Sequence, residues 1–192
     1  DGELRLARAR WQAARRGEGQ VLLVTGEAGI GKSRLVRALM EAVADEAHVT
    51  LNYQCVSYET STPFHPVLAR IRRDAGIVPG EAASVSVGRL EALLARSSRR
   101  PRHDLPLLAH LLSIPIGPPY RPVTADTPNL GARIAGMLVE QIVGLAAEGP
   151  LLVVAEDVHW IDPSTEAVLV ELARRVPALP VLLVLTHPGG AP

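Results

Sequence analysis

One short segment of the chain has the residue types and spacing of a loop that binds phosphate groups. Gly26, Gly29 and Gly31 lead into Lys32 and Ser33. Glycine has no Cβ, so these positions allow backbone N–H groups to approach phosphate oxygens closely. We expect the Lys32 ammonium to reach the β and γ phosphates and the Ser33 hydroxyl to help to hold Mg²⁺. The segment predicts a site for ATP or a close relative; the alternative is an ordinary glycine turn before a helix.

The residues around this loop agree with that interpretation. Residues 21–25 form a continuous apolar run bounded by glycines, which predicts a strand buried on both faces of a parallel sheet. From Lys32 onward apolar residues recur at intervals of three and four, which predicts a helix that ends near Asp45. Strand, glycine loop and helix in this order are the context that a phosphate-binding loop requires. The predicted nucleotide-binding residues of the loop are Gly26, Glu27, Ala28, Gly29, Ile30, Gly31, Lys32, Ser33 and Arg34.

An acidic pair follows a second buried strand. The apolar run 151–155 ends at Glu156 and Asp157. A phosphate-binding loop needs a carboxylate at the end of such a strand to hold the water shell of the metal and to polarise the attacking water. We predict Glu156 and Asp157 as the catalytic carboxylates. Glu156, with Ser33, is assigned mainly to Mg²⁺ through its water shell, and Asp157 to orienting or deprotonating the hydrolytic water. The two roles are interchangeable at this stage, and the alternative is a pair of acids that opens a loop.

Three further residues near the predicted site are polar or aromatic. Thr186 ends the apolar run 181–185. In sheets of this kind that strand lies between the loop strand and the acidic strand, so Thr186 is a candidate sensor of the γ phosphate that contacts the nucleotide. An ordinary threonine at a strand end is the alternative. His159 is either a partner of the carboxylates or a loop histidine, and we expect Trp160 to pack beneath the loop rather than to stack on a base.

The remaining patterns complete an α/β fold. An amphipathic helix is predicted over 3–16, a strand over 49–55, and a helix that starts at Pro163 with Asp162 as its N-cap. Four strands separated by helices predict a doubly wound parallel sheet with ligands at the carboxyl ends of the strands. We predict a single P-loop NTPase domain over residues 1–192, with a helical insertion at 64–147 between the second and third strands. The helices predicted in the insertion cover residues 64–75, 87–95, 105–114 and 130–147.

The composition limits the classes of partner. Of 192 residues 47% are hydrophobic, and Lys plus Arg equals Asp plus Glu at 20 each. Because the net charge is zero, we predict no direct nucleic-acid binding by this segment and no attachment to a membrane surface. There is no apolar signal core at the N-terminus, and no apolar run approaches the roughly 20 residues that span a bilayer, so we expect a cytoplasmic protein. A single cysteine, Cys55, and histidines without metal-ligand spacing argue against an internal disulfide and a zinc site.

Two stretches of the sequence resemble the AAA-like ATPase module of bacterial STAND signalling proteins. Such modules occur in large LuxR-type transcriptional regulators and beside adenylate or guanylate cyclase domains. The first stretch is residues 24–35, around the glycine loop. The second is residues 152–165, whose run Glu-Asp-Val-His-Trp-Ile-Asp-Pro-Ser-Thr is much more specific than the loop alone. The resemblance covers nearly the whole chain, including the helical stretch around residues 63–67.

The resemblance implies an ATP-dependent switch with Mg²⁺ as its cofactor. ATP and ADP states would pass to an output domain of the same polypeptide or to a partner protein, with slow ATP hydrolysis as the timer and a nucleotide-dependent oligomer as a possible form. Two departures bear on activity. Members of this family usually begin with a Val-Gly-Arg-Glu-like segment that helps to seat the adenine, whereas residues 1–4 are Asp-Gly-Glu-Leu. They also tend to have a threonine, one residue and then Arg-Pro after the last strand, and residues 186–188 are Thr-His-Pro. We therefore expect a module truncated at both ends, with weak or no ATPase activity.

Two other functions stay open at this stage. A P-loop small-molecule kinase shares the loop and the fold. However, Lys32 and Glu156 lie far apart in the sequence, and no arginine-rich lid follows the last strands. A degenerate nucleotide-binding module without turnover, in which the helical part docks a partner, is compatible with the missing arginine. The sequence has no Asn-Lys-x-Asp motif, so adenine is expected rather than guanine.

Overall fold

The computed structural model describes residues 2–189, apart from the side chain of Glu59, and divides the chain into two compact units. The first unit joins the described residues up to Pro66 to those from Ala146 onward, and the second unit is Val67–Leu145. The predicted domain limits at residues 1 and 192 lie outside the described residues.

A four-stranded parallel sheet forms the centre of the first unit and confirms the predicted α/β fold. Its strands are β1 (Gln20–Gly26), β2 (Val49–Gln54), β3 (Leu151–Glu156) and β4 (Val181–Pro188). They lie in the order β1-β4-β3-β2, and every neighbouring pair is parallel. The last strand therefore lies between the loop strand and the acidic strand, as predicted. In this arrangement the carboxyl ends of all four strands meet at one edge, where ligands bind in sheets of this class.

Seven α-helices accompany the strands in the part of the chain that the structure describes. They are α1 (Gly2–Arg15), α2 (Lys32–Ala42), α3 (His65–Ala75), α4 (Ala83–Ser97), α5 (Pro101–Leu111), α6 (Leu130–Glu148) and α7 (Pro163–Arg175). Short 3₁₀ helices occupy Ser57–Glu59, Val158–Trp160 and Val176–Ala178. The glycine loop thus connects β1 directly to α2, which is the predicted strand, loop and helix.

The core of the first unit joins α1 and α2 to one face of the sheet. Leu152 and Val154 of β3 and Leu182 and Val184 of β4 are fully or almost fully buried there. Burying a side chain of this size contributes about 1.5 to 3 kcal/mol. The cluster is completed by Ala7, Trp11 and Ala14 of α1 and by Val36, Leu39 and Val43 at α2.

One glutamate fixes α1 beside the connection from α2 to β2. The indole Nε1 of Trp11 donates a hydrogen bond to Glu46 Oε2 at 2.7 Å. Arg15 forms an ion pair with the same carboxylate at 2.8 Å. The ring of His48 meets the Trp11 ring edge-on, with the centroids 5.0 Å apart. Because Trp11 has no exposed surface, its polar nitrogen needs this partner.

Strand β1 differs from the prediction of a strand buried on both faces. Leu22 and Val24 pack against the core, whereas Val21 is 47% exposed and Leu23 is 57% exposed. The reason is the position of β1 at one edge of the sheet, where α1 and α2 cover a single face. The prediction was correct for the acidic strand, in which all five residues 151–155 are buried. A continuous apolar run does not distinguish these two situations.

The second unit contains α3, α4, α5 and most of α6. Helix α5 begins at Pro101, four residues before the predicted start. Proline suits the first helical position, because an N–H at that position has no acceptor within the helix and its absence therefore costs no hydrogen bond. The second proline, Pro106, lies inside α5, where it removes one hydrogen bond of the helix. Helix α4 is also longer than predicted, since it extends from Ala83 to Ser97.

Among the described helices, α6 alone has the length and composition of a membrane span, with a mean hydropathy of 1.4. This differs from the expectation that no apolar run approaches that length. Ile134, Met137, Leu138, Val139 and Ile142 of this helix are buried inside the protein. Core helices of soluble proteins pass the same test of length and composition, so the observation is weak evidence for a membrane span.

The N-terminus of α7 is fixed by Asp162, which confirms the predicted N-cap. Its Oδ1 accepts hydrogen bonds from the amides of Ser164 at 3.1 Å and Thr165 at 2.9 Å. The same oxygen accepts from the amide of Phe64 at 2.9 Å, and Oδ2 accepts from the Thr165 hydroxyl at 2.6 Å. Asp162 is buried, so this one carboxylate satisfies three amides of two distant segments.

We predict that Asp162→Ala lowers the free energy of unfolding by about 2 to 4 kcal/mol, because a helix cap is lost and the Phe64 amide stays buried without an acceptor. Urea denaturation followed by circular dichroism measures this difference. The control is Asp45→Ala, at an exposed carboxylate for which a change within about 0.5 kcal/mol is expected. Equal stability of the two variants would contradict the assigned role of Asp162.

Candidate functional site

The loop between β1 and α2 takes a backbone conformation that only glycine adopts easily. Gly29 has φ 80° and Gly31 has φ 110°. A Cβ is disfavoured in this left-handed region, which accounts for glycine at both positions. Gly31 is also the N-cap residue of α2 and has no side chain to cap the helix. The amides at the start of α2 are therefore left for another acceptor.

A row of backbone amides in this loop has no acceptor. Within residues 2–189 two backbone amides from Ile30 to Leu35 donate hydrogen bonds, that of Ile30 to the Glu27 carbonyl at 3.3 Å and that of Leu35 to the Gly31 carbonyl at 2.9 Å. Unpaired amides at a helix N-terminus, reinforced by the helix dipole, form an anion site. The amides without an acceptor in the described structure are those of Gly29, Gly31, Lys32, Ser33 and Arg34.

The Lys32 side chain folds back over the same loop. Its Nζ donates hydrogen bonds to the carbonyls of Gly26 at 2.8 Å and Glu27 at 3.0 Å. Both acceptors are neutral, and no carboxylate of the described chain forms an ion pair with this ammonium. A lysine with three donors and only carbonyl partners retains its full charge for a phosphate group.

A cavity of about 370 Å³ lies on this loop. Part of its wall comes from the start of α2, including Lys32 and Ser33. The remaining wall comes from the carboxyl ends of β3 and β4, with Asp157 among its residues. The sheet therefore brings the two halves of the predicted site together. The lining residues are Ala28, Gly29, Gly31, Lys32, Ser33, Arg34, Asp157, His159, Trp160 and Pro188.

Asp157 is held by contacts with both neighbouring strands. Its backbone is left-handed, with φ 56° and ψ 46°, and its amide donates to Thr186 Oγ1 at 2.8 Å. Its carboxylate Oδ2 accepts a hydrogen bond from the side-chain nitrogen Nε2 of Gln54 at 3.2 Å. A non-glycine residue in this region is uncommon and costs of order 1 to 3 kcal/mol. The two hydrogen bonds aim the carboxylate at a defined position on the cavity wall.

Thr186, the predicted sensor of the γ phosphate, contacts Asp157 in the structure. Thr186 is 1% exposed and does not line the cavity of the loop. Its hydroxyl oxygen accepts the amide proton of Asp157 across the β3–β4 pair. Thr186 therefore holds the backbone of Asp157 in place. It does not contact the cavity in which the predicted sensor would meet the γ phosphate.

Glu156 also lies outside the lining of this cavity. It ends β3 and is half-buried, and its carbonyl accepts from the amide of Cys55 at 3.1 Å. By strand alternation its side chain shares the sheet face of Leu152 and Val154, the face covered by α1 and α2. Of the two predicted carboxylates, only Asp157 therefore reaches the cavity wall in this structure.

The other predicted loop residues have supporting positions. The Gly26 and Glu27 carbonyls receive the Lys32 ammonium, as described above. Ile30 is 66% exposed, and its Cγ2 would lie 2.9 Å from a Cβ placed on Gly26. Gly26 therefore allows the loop to close over the end of β1.

Two residues that the sequence placed near the site, Trp160 and His159, lie at this cavity, and one residue was not identified. Trp160 does not pack beneath the loop as expected: it is 43% exposed and lines the cavity. The His159 ring lies between Trp160 and His187, with centroid distances of 4.7 Å and 5.8 Å. Gln54 was missed entirely, although a polar side chain at the end of a strand beside β3 was a usable signal.

A second cavity, of about 380 Å³, also borders the loop. It shares Gly31, Lys32 and Arg34 with the first cavity, so the two adjoin at the start of α2. Its wall includes apolar residues from α1, β1, the loop and α2. These apolar residues are Leu4, Val24, Ile30, Leu35 and Ala38.

Cys55 lies close to the acidic end of the sheet. Burial, followed by the charges of Asp162 and Asp157, raises the pKa of its thiol to about 12. The thiol therefore stays protonated near neutral pH and is a poor nucleophile. This agrees with a structural role for Cys55 as a small buried side chain.

Comparison with known proteins gives two matches. The family model described as "AAA ATPase domain" matches residues 1–184. An uncharacterized protein of Rhizobium meliloti (strain 1021) is 30% identical in an alignment of 192 positions that covers 97% of this chain and 18% of that relative. The chain thus spans about a fifth of the length of the curated relative that it matches.

The contact between Thr186 and Asp157 leads to a prediction. Thr186→Val keeps the shape of the side chain but removes the acceptor, so the Asp157 amide should lose its protection from hydrogen exchange. We expect a loss of about 1 to 3 kcal/mol in the free energy of unfolding. Hydrogen exchange measured by NMR reports the amide directly, and Thr25→Val, at an exposed threonine, serves as the control. Unchanged protection of Asp157 in Thr186→Val would refute the contact.

Proposed function

The chain belongs to the AAA ATPase domain family, and on that premise we propose that it is an ATP-binding regulatory module that acts as a nucleotide-dependent switch. The observation that carries this proposal is the row of amides without acceptors around Gly31 and Lys32. The long relative, of which this chain covers 18%, supports a place within a larger protein. The signalling or transcription-regulating role of that protein rests on the resemblance of the two sequence stretches alone. The output domain then belongs to the same polypeptide or to a partner.

The donors of the loop fit a triphosphate with Mg²⁺. Consecutive amides at the start of α2 bind phosphate oxygens, and the Lys32 ammonium binds the β and γ phosphates. The Ser33 hydroxyl, on the cavity wall, provides an oxygen ligand for Mg²⁺. When bound, Mg²⁺ neutralises charge on the β and γ oxygens. The apolar residues of the adjoining cavity, among them Leu4 and Ala38, would pack against the adenine ring.

The switch rests on contacts that differ between the free and the nucleotide-bound chain. Lys32 donates to the carbonyls of Gly26 and Glu27, and a phosphate group competes for the same protons. Asp157 accepts from Gln54, and a hydrolytic water competes for the same carboxylate. A ligand shifts a conformational equilibrium only through such differences in contact free energy. Movement of Gln54 and β2 would then report the nucleotide to the rest of the protein.

Hydrolysis in this proposal depends on Asp157. Its carboxylate lies on the cavity wall, where it orients or deprotonates a water for attack on the γ phosphate. Thr186 keeps the carboxylate in place through the Asp157 amide. Glu156 would hold the water shell of Mg²⁺ only with its side chain turned toward the loop. Slow ATP hydrolysis sets the lifetime of the ATP state.

Nucleotide binding tests the first part of the proposal. In isothermal titration calorimetry with ATP and Mg²⁺, Lys32→Ala should raise the Kd by about 10- to 100-fold, because a charge-assisted hydrogen bond is lost. Arg37→Ala removes an exposed cation of the same helix that does not line either cavity, and its Kd should match the wild type. An unchanged Kd in Lys32→Ala would disprove binding at the loop.

Phosphate release tests the second part. We predict that Asp157→Asn lowers the ATP turnover rate by about 100-fold or more while the Kd for ATP changes little, because general base catalysis contributes on that scale. Lys32→Ala should lower both quantities. The measurement combines single-turnover phosphate release with calorimetry, and a parallel loss of binding and turnover in Asp157→Asn would rule out its assigned role.

A binding module without turnover is the second candidate function. It is favoured by one observation: Glu156 and Thr186 do not line the cavity that contains Lys32 and Asp157. Tight ATP binding by the wild-type chain without phosphate release, in the presence of Mg²⁺, would identify this second function.

A further inference from the structure

Residues of the second unit form a cationic cleft that the nucleotide site does not use. The cavity has a volume of about 430 Å³. Arg102, Arg121 and Arg133 all line it, together with His103 and Tyr120. All of these residues belong to Val67–Leu145, so the cleft is a feature of the second unit alone.

The three guanidinium groups have no carboxylate partner within residues 2–189. Ion pairs elsewhere in the chain engage Arg15, Arg70, Arg89, Arg174 and Arg175 with nearby acids. The arginines of the cleft are absent from every such pair. Like charges gathered in one cavity repel one another, and an anion with more than one charge relieves this repulsion.

Two acidic residues contact residues of the cleft wall, and their two negative charges are fewer than the three positive charges of the arginines. Glu91 accepts the hydroxyl proton of Tyr120 at 2.6 Å. Asp104 is 4% exposed and accepts from the Ser98 hydroxyl and from His103 Nδ1. The second contact orients the His103 ring and leaves its Nε2 for a ligand. The cleft therefore keeps a surplus of positive charge.

Two helices begin at this cleft. Arg102 and His103 lie in the first turn of α5, and Arg133 lies in the first turn of α6. These helices have 11 and 19 residues. The N-terminal end of each helix dipole attracts negative charge and adds to the field of the arginines.

Most of the other residues of the wall are apolar, and the prolines among them restrict the backbone. Pro106, Pro119 and Pro122 line the cavity beside the Tyr120 ring. The hydrogen bond to Glu91 raises the pKa of Tyr120, so the phenol stays neutral. His110 Nδ1 and the Val123 carbonyl, 3.1 Å apart, connect α5 to the segment that carries Arg121. A carbon skeleton can therefore pack against these rings while its charged end reaches the arginines.

We propose that this cleft binds a small organic phosphate monoester. The dianionic phosphate contacts Arg102, Arg121 and Arg133, and the organic part lies on the prolines and Tyr120. Guanidinium groups match phosphate oxygens through paired N–H donors, which favours phosphate over a single carboxylate. Binding here gives the second unit its own ligand, independent of the nucleotide loop.

The test uses the full chain carrying Lys32→Ala, so that the nucleotide loop does not take up the probe. Phenyl phosphate is titrated in a calorimeter and should bind saturably. The double variant Arg121→Gln/Arg133→Gln should raise its Kd at least about tenfold. Arg99→Gln removes an exposed arginine of the same unit that does not line the cleft, and should leave the Kd unchanged. ATP binding by the double variant with Lys32 intact should equal that of the wild type.

Comparison of probes keeps the proposal testable without any variant. Methyl phenyl phosphate has the same ring but one negative charge fewer, so its Kd should be at least about tenfold higher. Phthalate tests whether a dicarboxylate is accepted. Absence of saturable binding of phenyl phosphate, or equal weakening by Arg99→Gln, would overturn the site. Phthalate binding as tight as that of phenyl phosphate would overturn its assignment to phosphate.

Discussion

The parallel pairing of β4 with both β1 and β3 is the constraint on which the rest of the site depends. A parallel sheet places the carboxyl ends of neighbouring strands at one edge, so the loop after Gly26 and the carboxylate of Asp157 face a common cavity. These two segments lie far apart in the sequence, and neither forms a site alone. The apolar residues of β3 and β4 are buried under α1 and α2, which stabilises this pairing.

The hydrogen bonds at the carboxyl edge of the sheet explain how this edge can bind a ligand and respond to it. The loop leaves its amides unpaired at α2, where the only compensation is a ligand or water. Asp157, in contrast, has both its amide and its carboxylate engaged, by Thr186 and Gln54. One half of the site is therefore open to an anion, and the other half is restrained. The second unit adds a separate cationic cleft, whose arginines form no ion pair within residues 2–189.

Local patterns predicted much of this arrangement. The glycine loop, the strand order and the Asp162 cap follow from spacing, apolar runs and capping chemistry, and the structure agrees with all three. Features that depend on a distant partner were not predictable. The exposed face of β1 follows from its place at the sheet edge, and the contact of Thr186 follows from the register of β3 and β4. The predicted start of α5 at residue 105 was wrong, because the apolar pattern begins at Leu105 whereas the helix begins at Pro101, a residue that suits the first helical position.

The central claim is that the amides at the start of α2 bind the phosphates of a nucleotide. Two-dimensional ¹H–¹⁵N NMR of the chain during titration with ATP and Mg²⁺ tests it most directly. The account predicts that the largest shifts belong to the amides of Gly29, Gly31, Lys32, Ser33 and Arg34, with a smaller change at Asp157. Saturable binding that leaves these amides unshifted, with changes confined to Val67–Leu145, would contradict it.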